Sequence, residues 1–203
     1  MVTIVNYGMG NLGSIFNMLK KIGVTSKITS DLNEIAQAKK IILPGVGHFD
    51  RAMERLDSTE LRNILDHKAL EEKVPVLGIC LGMQILTRSS EEGSLPGLGW
   101  VPASTKRFSS EPECALKVPH MGWNVVHIST PSPLTMGFDG EFRFYFVHSY
   151  CVGVDDERHS ILKTCYGIEF DAGIQKDNIF GVQFHPEKSH KFGMKLLENF
   201  TRL

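Results

Sequence analysis

Three times in its first half the chain runs a short aliphatic segment into a glycine-containing turn and out again into apolar residues at helical spacing. This alternation constrains the fold more than any other feature, because a strand followed by a returning helix places the next strand parallel to the first. The first unit is Val2-Thr3-Ile4-Val5, the turn Asn6-Tyr7-Gly8-Met9-Gly10, and Leu12, Ile15, Phe16, Leu19 and Ile22. The second is residues 40–43, stopped by Pro44-Gly45-Val46-Gly47, then a helical pattern over residues 53–72 through Leu56, Leu61, Ile64 and Leu65. The third is residues 74–79, which enter Gly78-Ile79-Cys80-Leu81-Gly82 and a short helix through Met83, Gln84, Ile85 and Leu86. Together they predict an α/β fold, a mostly parallel central sheet flanked by helices, with sites at the carboxyl ends of the strands.

The second half reads as shorter strands over residues 142–147, 160–166, 173–175 and 179–184, closed by a helix around residues 192–200. Residues 89–102 and 109–113 read as loops, and no repeat or linker interrupts the chain. With 203 residues at 42% hydrophobic content, a single domain over residues 1–203 is expected.

Lys and Arg number 22 against 23 Asp and Glu, so no basic field for nucleic acid exists and no nucleic-acid partner is expected. The start of the sequence shows no charged leader, and nowhere do roughly 18 apolar residues run together, so a soluble, unexported chain without a membrane partner is expected. Cys80, Cys114, Cys151 and Cys165 are scattered and form no CxxC pair, which suits free thiols in a reducing cytoplasm.

Residues 78–82 have the form of a nucleophile elbow, in which a strand ends, the nucleophile takes a tight turn and a helix starts at once. Flanking glycines let backbones approach, and the helix start favours a thiolate and offers N–H groups to an oxyanion. Alone, Cys80 reads equally well as an inert buried thiol. A thiol attacking an amide needs a base and a group to orient it, and His185-Pro186-Glu187 supplies both on a backbone stiffened by proline. Alone, that tripeptide reads as a surface loop; the two segments together are far more specific.

GICLGMQ at residues 78–84 and GVQFHPEKS at residues 181–189 closely resemble the two signatures of class I, triad-type glutamine amidotransferases. NYGMGNL at 6–12, LPGVGHF at 43–49, KVPHMGWN at 117–124, YFVHSY at 145–150 and Tyr166-Gly167 extend the resemblance to the glutaminase subunits of imidazole glycerol phosphate synthases over nearly the whole chain. The resemblance implies a flavodoxin-like sheet with additional short antiparallel strands, a Cys80–His185–Glu187 triad, and no cofactor or metal. It implies an oxyanion hole at Gly45, Val46, Gly47 and the Leu81 N–H, where glycines let N–H groups turn toward developing charge. It also implies glutamine binding by Gln84, His148, Ser149 and Tyr150. Their bland alternatives are an exposed helical Gln, a structural His and, for residues 44–47, a plain turn.

By the same resemblance the partner is the (β/α)8 synthase (cyclase) subunit in a heterodimer, docked near Asn11, Met121, Trp123, Asn124 and Lys188. For residues 119–124 the competing expectation is an internal loop with Trp123 in the core. His48 and Asp50 depart from what relatives commonly carry after the glycine turn. Because chemistry and acceptor are separated, the isolated chain is expected to be a slow glutaminase until docking flips Gly45-Val46. Other readings are a paralogous subunit feeding ammonia to surface-polysaccharide amino-sugar synthesis, a Cys–His peptidase or thioesterase, and a non-catalytic scaffold.

Overall fold

In the computed structural model residues 1–108 and 116–203 are described; Cys114 and the loop expected at residues 109–113 lie outside the described residues. The parallel half of the sheet is built from β2 (Ser26–Thr29), β1 (Val2–Val5), β3 (Ile41–Gly45), β4 (Val76–Cys80) and β11 (Ile179–Val182), in that order. From β11 the sheet continues antiparallel through β10 (Ile168–Lys176), β9 (Ser160–Tyr166), β6 (His120–Ile128) and β7 (Phe142–His148). A side branch pairs β8 (Tyr150–Val154) with β10 and with β5 (Ala103–Arg107).

Alternation along the buried strands sorts side chains to two faces. Val5, Ile41, Leu43 and Val76 pack against Ile35 of α2 (Leu32–Ala36), Phe49, Met53 and Leu56 of α3 (Phe49–Asp57) and Leu65 of α4 (Leu61–Asp66). Ile4, Ile42, Leu77 and Ile79 pack against Ile15 and Leu19 of α1 (Leu12–Lys21) and Leu196, Leu197 and Phe200 of α6 (His190–Thr201). Helices therefore cover both faces, as the alternation predicts.

The helix expected over residues 53–72 is two helices, because Ser58 Oγ donates to the Arg55 carbonyl and Thr59 Oγ1 accepts from Leu61 N, drawing the backbone out of the helical ladder. A five-residue π-helical turn, His67–Glu71, follows α4. Residues 119–124 are not a loop from end to end: His120 opens β6, paired from His120 to Val126 with β7. Nor is Trp123 a core residue, since it is 46% exposed and Met121 is 61% exposed; Trp100 fills the core instead. Cys80, Cys151 and Cys165 are free thiols. No helix of the described residues is long and apolar enough to cross a membrane.

Candidate active site

Cys80 ends β4 with φ 56° and ψ −112°, a left-handed geometry that a non-glycine residue occupies only under strain, and α5 (Leu81–Gln84) starts at the next residue. The turn is possible because two neighbours have no side chain. A Cβ on Gly82 would lie 1.8 Å from the Leu43 carbonyl oxygen, and one on Gly78 would lie 2.4 Å from the Gly82 oxygen. Sequence spacing thus becomes backbone contact, as an elbow requires.

His185 follows β11, next to β4 in the sheet, and is tied to β7. Its N–H donates to the Tyr145 carbonyl at 2.9 Å, while Ser189 Oγ donates to its carbonyl at 2.6 Å and accepts from Tyr145 N at 3.0 Å. The imidazole Nδ1 lies 2.8 Å from Glu187 Oε1, both side chains being almost fully buried. Burial opposes charge on this ring, but Cys80 and Glu187 outweigh it and raise its pKa from 6.5 to about 10. Nε2 is buried without a hydrogen-bond partner, although Cys80 lies near enough to be one cause of the raised pKa. The arrangement is a thiol, an imidazole and an orienting carboxylate in the order nucleophilic acyl transfer needs.

Beside the thiol lies a cavity of about 370 Å³, lined by Cys80, Leu81, Val46, Gly47, Gln84, His148, Ser149 and Tyr150 from the sequence-derived set. Gly45 does not line it: paired in register with Cys80, Gly45 ends β3 against Leu81, Gly82 N and the Tyr7 hydroxyl. Gln84 is buried, not an exposed helical residue, and its Nε2 donates to the Tyr150 carbonyl at 3.2 Å. His148 Nδ1 donates to that carbonyl at 2.7 Å, and burial drives its pKa down to about 3, which keeps the ring neutral. Its Nε2 therefore accepts from His120 Nδ1 at 3.0 Å, and His120, likewise lowered by burial to about 4, accepts from Asn124 Nδ2 at 3.3 Å.

Sequence reasoning missed Glu92, Pro119, Val147 and Gln183. The first three line the cavity, and Glu92 Oε2 also accepts from Phe49 N at 2.8 Å. No pattern separates Glu92 from Glu91, whose carboxylate accepts from Arg107 N instead. Gln183 carries a usable signal: counting back two along the extended segment from His185 puts it on the same face. His48 and Asp50 stand outside the cavity lining. His48 caps α3 by accepting from Asp50 N at 3.3 Å, and the Asp50 carboxylate accepts from Ser94 N and Leu95 N at 3.0 Å, pinning the loop that carries Glu92.

The residues expected at a partner face divide. Met121 and Trp123 project from one face of β6, where Trp123 stacks on His190 at 5.6 Å and Lys188 Nζ lies 5.5 Å above the Tyr145 ring. Asn124 sits on the opposite face with its amide on His120 and the Cys165 carbonyl. Asn11 caps α1, which packs against the turn Pro186–Lys188. Among the described residues no cluster of His, Cys, Asp or Glu is arranged to hold a metal ion.

The sequence model of the family "Glutamine amidotransferase class-I" matches residues 3–203, and the chain belongs to that family. Within it, the chain is similar to imidazole glycerol phosphate synthase subunit HisH 2 of Methanococcus maripaludis, 52% identical over 100% of this chain and 99% of the relative. HisH 2 of Pseudomonas aeruginosa is 45% identical and HisH of Bdellovibrio bacteriovorus 46%, each over the full length of both chains. Among solved structures, one described as glutamine amidotransferase superposes with a TM-score of 0.76 at 16% identity, covering 99% of this chain and 97% of the other. PurLQS from Thermotoga maritima superposes with a TM-score of 0.75 at 20% identity over the same shares. Both share the fold, a mixed sheet with a parallel core flanked by helices.

Proposed function

We propose that this chain is the glutaminase subunit of an imidazole glycerol phosphate synthase, a single catalytic domain over residues 1–203 acting in the cytoplasm. The observation that carries the reading is the strained Cys80 in the lining of the cavity, together with the His185–Glu187 hydrogen bond of 2.8 Å. Cys80 Sγ attacks the side-chain carbonyl of glutamine while His185 gives its proton to the departing nitrogen. The C–N bond breaks, ammonia leaves, and a glutamyl thioester remains. His185 then takes a proton from water, hydroxide adds, the C–S bond breaks, and glutamate departs as the sulfur recovers its electron pair.

Val46, Gly47 and Leu81 line the cavity, and in this reading a flip at Gly45-Val46 turns an N–H toward it and completes the oxyanion hole with the Leu81 N–H when the partner docks. His148, Ser149 and Tyr150 bound the substrate's amino-acid end, and Glu92, the one carboxylate of the lining among the described residues, is suited to its ammonium. Ammonia passes to the (β/α)8 synthase subunit seated on Met121, Trp123 and Lys188, with Asn11 at its edge and Asn124 supporting from behind. The product serves histidine biosynthesis.

The test is co-purification with the histidine-pathway synthase subunit followed by an assay of its glutamine-dependent product. Product formation, with glutamine hydrolysis accelerated by the partner, supports the assignment; equal hydrolysis with and without it removes the docking switch. A second reading, supply of ammonia to surface-polysaccharide amino-sugar synthesis, is favoured by the numeral 2 in two relatives' names, which distinguishes more than one such subunit. Absence of product with the histidine-pathway partner selects it.

A further inference from the structure

Gln183 is fully buried between β11 and His185. Its Oε1 accepts from Gln84 Nε2 at 3.0 Å and its Nε2 donates to Cys80 Sγ at 3.7 Å. The two ends of a carboxamide have nearly the same shape, so orientation has to come from a partner whose role is unambiguous. The Tyr150 carbonyl is such a partner, since it only accepts. Gln84 Nε2 donates to it, which turns the amino end of Gln84 toward Gln183 as well. Gln183 must then give its oxygen to Gln84 and its N–H to the sulfur. Reversing it would set N–H against N–H and a carbonyl oxygen against a thiolate.

We propose that Gln183 is a positioning residue for Cys80, holding Sγ toward the cavity and presenting an N–H to the thiolate, with its own orientation dictated by Gln84 and the Tyr150 carbonyl. The inference rests on Cys80 being the glutaminase nucleophile. Cys80 is 6% exposed at a strained turn, so a sulfur anion formed there would have little water to solvate it, and a hydrogen bond to a charged group is worth more than one to a neutral thiol. When the C–S bond of the thioester breaks, the electron pair returns to sulfur and the same N–H receives it. His185, whose pKa Cys80 helps to raise, supplies positive charge near the sulfur, while Gln183 supplies the hydrogen bond to it.

The experiment follows alkylation of Cys80 by iodoacetamide against pH in the full chain, read by mass spectrometry of the Cys80 peptide so that other thiols do not contribute. Gln183→Met keeps length and removes the donor; Gln183→Glu keeps the acceptor for Gln84 and turns an anion on the sulfur. The midpoint of the alkylation profile is expected to rise by about one pH unit in Gln183→Met, roughly a tenfold loss of thiolate below it, and further in Gln183→Glu. In complex with the synthase subunit, kcat for glutamine falls by about tenfold in Gln183→Met with KM changed far less. A folded Gln183→Met protein, melting as the parent does, with an unmoved alkylation midpoint overturns the proposal, and this variant decides alone should the buried glutamate prevent folding. Absence of glutamate release by the unaltered complex would instead defeat the glutaminase reading, while the alkylation profile would still judge Gln183.

Discussion

The two halves of the sheet prepare the same cavity by different physics. In the parallel half, Cys80, Gly45 and Gly47 owe their positions to backbone: a left-handed nucleophile, close glycine contacts and strands in register. In the antiparallel half, His148, Tyr150, His120 and Asn124 owe theirs to a chain of side-chain hydrogen bonds through neutral, buried imidazoles. The first kind of order tolerates no added atom; the second tolerates volume changes but depends on protonation.

The largest expected effect removes the chemistry alone. Cys80→Ala should lower glutamine hydrolysis by about 10⁴-fold or more, and Glu187→Gln by about 10²–10⁴-fold, with melting temperature nearly unchanged. Loss of folding in either would show that these side chains also hold the parallel half together. Next, Gly82→Ala should cost more than about 3 kcal/mol or abolish soluble expression, because its methyl has only a backbone carbonyl to displace. Cys80→Gly, by contrast, should raise stability by up to about 1 kcal/mol through relief of the left-handed strain.

A middle-sized effect separates the halves by acid. The folded pKa values of His120 and His148 lie below the unfolded 6.5, so the stability they contribute is full above pH 6.5 and is lost as pH falls toward about 4 and 3. His185 works in the opposite sense: its raised pKa contributes stability below pH 6.5 that is lost as pH rises through about 10. Thermal melts from pH 7 to 4 should therefore fall less steeply in His120→Phe than in the parent, by about 5 °C at the acid end. Parallel curves would remove protonation from the account. The smallest effect belongs to the surface: Trp123→Ala should change the free chain's stability by less than about 0.5 kcal/mol while weakening capture of the synthase subunit in a titration.

Legibility in the sequence followed the same division. The strand–helix units of the parallel half were readable because buried parallel strands are continuous apolar runs, and β1 and β9 agree with expectation at both ends. β2, with the sequence SKIT, was missed because three of its four residues are partly or fully exposed at the sheet edge. β6 was not among the expected strands because Pro119 and Gly122 punctuate its start, whereas its pairing with β7 is a long-range fact that no local pattern carries. Cys80, His185 and Glu187 were visible since each lies in a contiguous motif. The Gln84–Gln183 pairing spans 99 positions and becomes visible only when β4 and β11 lie side by side.

Tyr145 belongs to both the surface and the chemistry. Its carbonyl receives the His185 N–H, its own N–H reaches Ser189, and its ring lies edge-on to Trp123 beneath Lys188. Any change that moves the Tyr145 backbone therefore disturbs the anchoring of His185 together with the face that carries Trp123 and Lys188. A substitution confined to the Tyr145 ring leaves both backbone contacts in place, whereas one that shifts the strand moves the anchor of His185.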